Sequence, residues 1–484
     1  AVMWQTTVRF PASRSQIDII PGEDIHRALP ALESVKKGWL NLFVRGSGIA
    51  LSVNENCDPT VRSDLTQALE RILPTPSRGA KSVAADARAL LMSTSLTLPI
   101  TSGSIAFGTW QGVYFSRFRP DASGDLILTL ADGGSAAQAD FTFDATKRSS
   151  HAIGAEVESA LNKEILPAAP TPSPIPSTLL VHEKHTSASV SVAGSDLEPT
   201  MRVVVPEKWN KEFFEHTYEG PDDMPGHVKS TLLGCGVVVP LLEGRTLLGS
   251  GQNVLLNEHR DIGGFGVGHS RRVQVTELPV GLRRLVTIPR DERSSSMNAS
   301  GRRSPSRGVR ERSVGGRRSG SPSARRGSSP SASAMNEIGA LVDITGQLRT
   351  VVAEASIPDC SSPGLVHIFA AGPQHGVIVA GARAANILAA RLQELTPDAA
   401  ARAAIAKNGP VLPLDEQGQL MLADGQSVWL YDAKDGGTDP VEGNHIAITV
   451  HRFGDSGKAK SGSAAPEELA APEERAAPEE RAAT

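Results

Sequence analysis

The chain has 484 residues, of which 39% are hydrophobic, and its 49 basic and 53 acidic side chains leave a net charge of −4. Because domains usually have about 100–200 residues, this length predicts roughly three domains. The near balance of charge excludes a molecule-wide attraction to nucleic acid or to anionic membranes. The sequence also has no long apolar run and no signal-peptide pattern, so we expect a soluble, cytoplasmic protein with no membrane partner.

Three successive segments of the chain open with a strand pattern followed by an amphipathic helix pattern. These pairs are TTVRF and IHRALPAL, FTFDA and AEVESALN, and ALVDIT and GQLRTVVAEA. Each pair leads into apolar strands rich in small residues: GWLNLFVRGSGIALSV at 38–53, HEKHTSASVSV at 182–192 and GLVHIFAAGPQHGVIV at 364–379. The middle stretch has His185 where the other two have Gly46 and Gly372. A pattern repeated over such long intervals predicts three copies of a whole domain.

A predicted hairpin and a last strand close each copy. The hairpin has a turn glycine and, eight residues later, a glutamine; the pairs are Gly103 and Gln111, Gly244 and Gln252, and Gly418 and Gln426. The closing strands are GDLILTLAD, RRVQVTEL and HIAITVHRF. The copies therefore span residues 1–134, 138–280 and 335–455. Strands interleaved with few helices predict the α+β class, with each domain a mixed β-sheet that carries helices on one face.

Two segments have too few apolar residues to form a core. Residues 281–334 are predicted to be a disordered linker, because they consist largely of Arg, Ser, Gly and Pro. Such a linker is a candidate for phosphorylation or weak RNA binding, whereas the domains give no sign of binding nucleic acid. Residues 456–484 repeat a proline-containing acidic unit, and proline at that spacing interrupts helices, so we expect a disordered acidic tail.

Five motifs carry a resemblance to a known family. They are SVNENCDPTVRSDL at 52–65, GTWQG at 108–112, HTSAS at 185–189, HTYEGPDDMPGHVKSTLLG at 216–234 and NEHRDIGG at 257–264. Together they resemble the YjbQ-type secondary thiamine-phosphate synthase family, and the third copy is similar only in its apolar frame. Members of that family are single domains that assemble as homotrimers. The resemblance therefore implies a fused, intramolecular pseudo-trimer that is a monomer in solution and whose third copy is degenerate.

The polar motifs of the first copy suit substrate contacts. Asp58 and Pro59 also fit a plain helix start, since Asp is a favoured N-cap and Pro a favoured first helical residue. Nothing structural explains why three polar residues close the apolar strand before them. In GTWQG, the glycines permit close approach of a ligand, and Trp110 is suited to stack on a flat ring, although a packed tryptophan in a tight turn is the commoner case. The candidates here are Glu55 and Asp58 for catalysis and Asn54, Asn56, Thr109, Trp110 and Gln111 for substrate binding.

The second copy contributes most of the ionisable groups. Mixed histidine and carboxylate sites suit Zn²⁺ or Mn²⁺, and a pyrophosphate leaving group commonly needs a cation such as Mg²⁺. A single histidine is more often a surface or core residue, but several stand in these motifs. The candidate metal ligands are His185, His216, His227 and Asp223. His185 and His227 are also the catalytic candidates, and Thr186, Ser187, Ser189, Lys229 and Arg260 are candidates for binding the substrate and its phosphate.

The losses in the first two copies are complementary. The first copy has Gly46 in place of the histidine of HTSAS and ADARALL in place of GHVKSTL, while the second lacks NENCDP and GTWQG. The hypothesis is therefore one composite site between copies one and two. The family's reaction joins an aminopyrimidine diphosphate to a thiazole phosphate and releases pyrophosphate. Two alternatives stay open: a metal-dependent enzyme that acts on another phosphorylated small molecule, and a non-catalytic scaffold or ligand-binding protein.

Overall fold

The computed structural model describes residues 2–10, 17–77, 79, 81–165, 177–242, 245–261, 268–279, 282–288, 341–355, 362–407, 409–433 and 444–452. Three units follow one another with the same order of elements. We call residues 2–132 the first unit, residues 138–279 the second unit, and residues 282–288 together with 341–452 the third unit. The predicted acidic tail, 456–484, lies outside the described residues.

The first unit begins with a strand, as predicted, and then has a second strand, β2, that the sequence pattern did not predict. Its strands are β1 Met3–Phe10, β2 Ile17–Ile20, β3 Lys37–Gly46, β4 Ile49–Glu55, β5 Ser95–Thr101, β6 Ser104–Ile105, β7 Gln111–Arg117 and β8 Gly124–Asp132. Its helices are α1 Gly22–Ala28, α2 Pro59–Ile72 and α3 Lys81–Ala89, with a 3₁₀ helix at Pro30–Ser34. The Asp58 carboxylate accepts a hydrogen bond from the Thr60 amide at 2.8 Å, so α2 starts at the predicted N-cap.

The second unit repeats this order. Its strands are β9 Gln138–Ala145, β10 Ser149–Ala152, β11 Ser177–Glu183, β12 Ala188–Ala193, β13 Gly236–Leu242, β14 Arg245–Thr246, β15 Asn253–Glu258 and β16 His269–Pro279. Its helices are α4 Gly154–Ile165, α5 Glu198–Val204, α6 Trp209–Glu212 and α7 Asp223–Leu233. Gly234, whose φ is +94°, ends α7 in a conformation that other residues rarely adopt.

The third unit starts earlier in the chain than predicted. Its strands are β17 Leu282–Ile288, β18 Leu341–Asp343, β19 Gly364–Ala371, β20 His375–Ala380, β21 Val411–Leu414, β22 Ser427–Asp432 and β23 Asn444–His451, and its helices are α8 Thr345–Glu354, α9 Ala382–Leu395 and α10 Ala399–Ile405. The predicted linker 281–334 therefore needs correction at its start, because β17 pairs with β23 along its whole length. Leu282 and Val286 of β17 pack against the core of the third unit, whereas Leu285 is exposed. The remainder of the predicted linker lies outside the described residues.

Each unit has a larger and a smaller sheet. The larger sheets have the orders β1-β8-β3-β5-β6, β14-β13-β11-β16-β9 and β17-β23-β19-β21, and the smaller ones β2-β7-β4, β10-β15-β12 and β18-β22-β20. The α+β class is confirmed. Instead of one mixed sheet per domain, however, every strand pair in the described residues is antiparallel. Only β5 with β6 and β13 with β14 are paired strands that follow each other closely in the described part of the chain, and the other pairs join strands distant in the chain.

The two sheets of each unit enclose a core of their own. In the first unit, Leu40 and Leu42 of β3 pack with Leu51 and Val53 of β4. The second and third units have equivalent clusters. The helices between the fourth and fifth strands of each unit's repeat, among them α2, α7 and α9, merge into one shared core that includes Leu65 of the first unit, Val228 of the second and Leu388 of the third. The three units are therefore packed around a common centre.

The larger sheets of the three units meet in a second, smaller cluster. Trp39, Leu180 and Leu365, one from each unit, belong to a single buried cluster. The Trp39 indole donates a hydrogen bond to the Thr276 carbonyl oxygen across the boundary between the first and second units, at 3.1 Å. A neighbouring cavity of about 80 Å³ is lined by residues of all three units, including Lys407.

Backbone hydrogen bonds show which residues are equivalent around this cavity. The carbonyl oxygens of Ser93, Gly234 and Lys407 accept from the amides of Leu51, Val190 and Val377, at 2.7, 2.9 and 2.7 Å. The Lys407 ammonium donates to the Leu232 carbonyl oxygen at the end of α7. The third unit thus contacts the helix of the second unit that carries His227 and Asp223.

The three glutamines that the sequence singles out link the units in a ring. The Gln111 side-chain amide donates to the carbonyl oxygen of His185 in the second unit at 3.0 Å, and Gln252 donates to that of Gly372 in the third unit at 2.8 Å. Gln426 donates to the carbonyl oxygen of Gly46 in the first unit at 2.9 Å. Each glutamine therefore reaches the hairpin of the next unit at the same position.

None of the helices in the described residues combines the length and hydropathy needed to span a bilayer.

Candidate functional site

The polar motifs of the first and second units meet at one boundary, which we call the composite site. The Asn54 side-chain amide, at the end of β4, donates to the His227 carbonyl oxygen at 2.9 Å and to the Thr231 hydroxyl at 2.8 Å. Asn54 is completely buried, as expected for a polar residue whose hydrogen bonds are satisfied. The end of β4 in the first unit is therefore fixed to α7 of the second.

His227 presents one ring nitrogen to a group of carboxylates. Its Nδ1 lies 2.8 Å from the Asn54 side-chain oxygen and donates to it, because the Asn54 nitrogen is used as a donor elsewhere. This leaves Nε2 to face the neighbouring carboxylates. Nε2 lies 3.3 Å from a Glu55 carboxylate oxygen and 3.5 Å from an Asp223 oxygen.

His216 lies between two carboxylates, one from each unit. Its Nδ1 is 2.7 Å from Asp58 Oδ2, and its Nε2 is 2.9 Å from Asp223 Oδ2. Burial disfavours the charged imidazole, but the hydrogen bonds to Asp223 and Asp58 outweigh burial and raise the pKa of His216 to about 9. His216 is therefore a cation at neutral pH as long as no metal ion displaces its proton.

The two carboxylates are held in their charged forms. Burial would raise the pKa of Asp58, yet hydrogen bonds from Thr60 and His216 lower it to about 2. Hydrogen bonds from His216 and His227 likewise overcome burial and hold the pKa of Asp223 well below its ordinary value. Asp58 and Asp223 thus keep their negative charges at every physiological pH.

His185 lies on the hairpin between β11 and β12 and is half-buried. Its Nδ1 accepts a hydrogen bond from the Ser187 amide at 3.2 Å. Burial lowers the pKa of His185 to about 3, and the positive charge of Arg271 adds to the effect. His185 is therefore a neutral imidazole at physiological pH, and its Nε2 carries the proton. Thr186 and Ser187 are buried in the same hairpin, and the Thr186 carbonyl oxygen accepts from the Ser230 hydroxyl at 2.6 Å.

Arg260 is the most accessible cation of the composite site. Its guanidinium lies 2.7 Å from an Asp223 carboxylate oxygen and donates to the Glu219 carbonyl oxygen at 2.6 Å. Because the side chain remains 18% exposed, a phosphate could still approach its outer edge. Asp223 therefore links Arg260 with His216 and His227 in one network.

Two residues predicted to bind substrate lie in a buried cluster instead. The Lys229 ammonium is completely buried and forms an ion pair with Glu198 at 2.6 Å. The Ser189 hydroxyl bonds to His259 Nε2 at 2.9 Å, and His259 in turn bonds to Glu198 at 2.8 Å. For these two residues the prediction needs correction, because both point away from the composite site toward Glu198. Arg148 completes this cluster, 2.8 Å from Glu198.

The GTWQG turn has a structural glutamine and an exposed tryptophan. Gln111 was predicted to contact substrate, but its side-chain oxygen accepts from the Gly108 amide at 3.0 Å and its nitrogen donates to the β11–β12 hairpin. Thr109 and Trp110 are exposed, Trp110 by 54% of its surface. The Trp110 carbonyl oxygen accepts from the amide of Asn56, which is also exposed, at 2.8 Å. The turn is thus tied directly to the residues that follow β4.

Glu55, His216 and His227 form a group that could hold a metal ion, with ligand atoms within 4.8 Å of one another. A second group shares one member and consists of His216, Glu219 and Asp223. Of the predicted metal ligands, His216, His227 and Asp223 lie in these groups. Among the described residues, His185 does not belong to either group. Glu55 was predicted only as a catalytic residue, and the strand ending in Asn54-Glu55 was the signal that could have marked it as a ligand.

Sequence comparison places these motifs in a known family. The UPF0047 protein YjbQ-like family model matches residues 6–131 and again residues 139–279, more than half of the chain. The chain belongs to the YjbQ family. The UPF0047 protein YjbQ of Escherichia coli O157:H7 is 35% identical over 138 residues, which cover 27% of this chain and 99% of that protein. The resemblance inferred from the motifs is thus confirmed at the level of the family, and two tandem YjbQ repeats are present.

Other YjbQ relatives match one repeat at a time. A UPF0047 protein of Synechocystis is 35% identical over 92 residues, which cover 18% of this chain and 63% of that protein. The crystal structure of a YjbQ/UPF0047 family protein from Clostridium acetobutylicum has 23% sequence identity and covers 26% of this chain and 99% of that chain, with a TM-score of 0.24.

Proposed function

We propose that the chain is a thiamine-phosphate synthase-like transferase that acts at the composite site. It would join an aminopyrimidine diphosphate to a thiazole phosphate. In this reaction the bond between the pyrimidine methylene carbon and the diphosphate oxygen breaks, pyrophosphate leaves, and the thiazole nitrogen forms a new bond to the carbon. The observation that carries the proposal is the group of Glu55, His216 and His227, which two units contribute together.

The charges of this group support a role for a divalent metal ion. Glu55, Asp58 and Asp223 gather around His216 and His227, so a pyrophosphate would meet repulsion without an added cation. Two imidazoles and carboxylates suit Zn²⁺ or Mn²⁺ better than Mg²⁺, which prefers oxygen ligands. We infer that Glu55, His216, His227 and Asp223 would hold the ion. A bound ion would neutralise the negative charge that develops on the leaving pyrophosphate.

The chain's own residues would position and protect the substrates. Arg260 offers guanidinium hydrogen bonds to a phosphate at the edge of the site. The exposed Trp110 face is suited to stack on the aminopyrimidine ring, and its turn is joined to Asn56 next to Glu55. His185 remains neutral, and because its Nδ1 accepts from the Ser187 amide, its Nε2 can donate a hydrogen bond to the substrate.

We further propose that the third unit is a degenerate copy and that the chain is an intramolecular pseudo-trimer. The same element order in the three units and the ring of glutamine hydrogen bonds support this arrangement. At the position of His185 the third unit has Gly372, and His375 lies three residues farther along. The third unit would therefore support the composite site structurally instead of forming one of its own.

A metal-dependent reaction on a different phosphorylated small molecule is the second candidate. The group of histidines and carboxylates supports this second candidate as much as the first. These residues would hold a metal ion regardless of the structure of the organic part of the substrate.

The proposal is tested by incubating the purified full chain with the two precursors and Mg²⁺, Mn²⁺ or Zn²⁺ and measuring release of pyrophosphate and formation of thiamine phosphate. We expect turnover that is lost in His227→Ala and retained in the matched control His375→Ala. The variants Glu55→Ala and His185→Ala should each abolish turnover, and the double variant should be no worse, because groups that act as one unit are not additive. Pyrophosphate release without thiamine phosphate would favour the second candidate, and equal loss in His375→Ala would contradict both.

A further inference from the structure

A second cavity lies at the boundary between the third and first units, and we call it the third–first cavity. Its volume is about 280 Å³. Its walls come from the β3–β4 hairpin and α3 of the first unit and from the end of β20 and the start of α9 of the third. It shares none of the residues of the Glu55, His216 and His227 group.

The third–first cavity lies at the boundary between the third and first units. Its position there corresponds to that of the composite site at the boundary between the first and second units. Gln426 donates to Gly46 at the edge of the cavity, just as Gln111 donates to His185 at the edge of the composite site. The end of β20 lines the cavity, just as the end of β4, Asn54 and Glu55, lines the composite site.

The chemistry of the two places differs at each ionisable position. Where the composite site has His185, the cavity has Gly46. Ala380 and Gly381 replace the polar end of β4. Asp86 of α3 occupies the place of His227, as the alignment of ADARALL with GHVKSTL shows. Neither His185 nor His227 therefore has a histidine counterpart at the cavity, while the space that they would border remains.

Apolar side chains form most of the wall. Ile49, Val83 and Leu90 line it from the first unit, and Val379 and Ala384 from the third. Ile49, Val379 and Ala384 are nearly completely buried, with exposures of 1%, 4% and 6%. A wall of this kind gains free energy when an apolar molecule replaces water against it.

Asp86 and Gln426 of the cavity wall already have partners within the protein, whereas Arg383 also lines the cavity and is exposed to solvent. Asp86 lies 2.9 Å from the guanidinium of Arg119, which neutralises its charge. The Gln426 side-chain oxygen accepts a hydrogen bond from the Ala423 amide at 2.8 Å, and its nitrogen donates one to the Gly46 carbonyl oxygen. A charged ligand would have to compete with these contacts and give up its own hydration, so the wall favours an uncharged ligand.

We propose that the third–first cavity is a binding site for an uncharged, mainly apolar small molecule of about two fused aromatic rings. An apolar protein cavity of ~150 Å³ is known to hold benzene, and the larger volume here leaves room for a second ring. The site is independent of the proposed metal site, because no residue of the Glu55, His216 and His227 group lines it.

Isothermal titration calorimetry of the full chain with indole tests this assignment. We expect saturable binding of one indole per chain. Val83→Trp and Ala384→Phe place extra volume in the cavity, and each should weaken binding by about tenfold or more, a change of about 1.4 kcal/mol or more. Val83 is half-buried on a helix surface, so Val83→Trp should fold even if Ala384→Phe does not.

Two control variants separate this site from others. Val203→Trp adds a tryptophan at a 70% exposed position of α5 and should leave indole binding unchanged. His227→Ala alters the composite site and should also leave it unchanged. No saturable binding, binding that survives Val83→Trp in the folded protein, or loss of binding in His227→Ala would each overturn the proposal.

Discussion

The Gln111 side-chain amide lies 3.0 Å from the carbonyl oxygen of His185, and this hydrogen bond joins the first unit to the hairpin that carries the surviving histidine. The same nitrogen also donates to the Glu183 carbonyl oxygen at 2.9 Å. Gln111 is 3% exposed, so water cannot easily replace either bond. The turn that the sequence presents as a substrate contact thus fixes the position of a site residue in the next unit.

Removal of this glutamine should loosen the hairpin. We expect Gln111→Ala to lower the free energy of unfolding by about 1–3 kcal/mol, because buried backbone oxygens lose their partner. Hydrogen–deuterium exchange should increase in residues 184–188. Gln252→Ala is the matched control, since it removes the equivalent bond to Gly372. It should increase exchange near Gly372 and leave residues 184–188 unchanged, and a reversed or uniform pattern would refute the role of Gln111.

Metal affinity should depend on residues of both units. Since even outer partners of metal ligands typically contribute ~10–100-fold in affinity, we expect Glu55→Ala, His216→Ala and His227→Ala each to weaken Zn²⁺ binding by at least that much. Competition with a chelating dye would measure this. His375→Ala, in the third unit, should retain the affinity of the unaltered chain. Unchanged affinity in Glu55→Ala would show that the first unit contributes no ligand.

Glu183 should make stability depend on pH. Burial raises the pKa of this completely buried glutamate to about 8 from an ordinary value of 4.5. Below about pH 4.5 the folded and unfolded chains both hold the proton; between pH 4.5 and 8 only the folded chain keeps it, so the unaltered chain loses stability as pH rises. Glu183→Gln should thus become progressively more stable than the unaltered chain up to pH 8, by on the order of a few kcal/mol. Chemical denaturation at pH 4.5, 6.5 and 8.5 would measure the difference, and a constant difference would contradict it.

Lys407 should show the opposite dependence. Burial lowers the pKa of Lys407 to about 7 from an ordinary value of 10.5. Above about pH 10.5 both folded and unfolded chains have a neutral lysine; as pH falls toward 7 only the unfolded chain gains the proton, so the folded chain loses stability. Lys407→Met should therefore have a higher melting temperature than the unaltered chain at pH 7, and the advantage should shrink toward pH 10. If the variant were instead less stable at pH 7, the hydrogen bond to Leu232 would outweigh the cost of burial.

The proposed pseudo-trimer predicts the mass in solution. Because three units within one chain already satisfy the interfaces of a trimer, we expect a monomer of about 51 kDa by light scattering. A mass near three chains would contradict the intramolecular arrangement.

Local sequence signals predicted much of this fold. Asp58 and Pro59 mark the start of α2, and the equal spacing from glycine to glutamine marks equivalent hairpins because both depend on short-range geometry. The composite site followed from complementary losses in two copies. Long-range pairing was harder to predict: β17 precedes a long polar segment, so its pairing with β23 could not be seen in the order of motifs.

The direction of side chains on a helix was the second feature that the sequence did not predict. Lys229 stands in the same motif as His227, two residues away, yet a helix turns about 100° per residue and so points the two side chains in different directions. Lys229 therefore reaches Glu198, while His227 faces Glu55. Sequence spacing alone could not assign the faces of α7, because every residue of this helix is buried.

Fusion of the units changes how substitutions act at their common centre. In a homotrimer a mutation near the threefold axis appears three times at once, so a lysine there would bring three like charges together, which is costly at short range. In this chain only Lys407 is basic, and the equivalent positions hold Ser93 and Gly234. A mutation in this chain can therefore change one unit alone, which is impossible when identical subunits are encoded by one gene. One boundary can lose its ionisable residues while another keeps them.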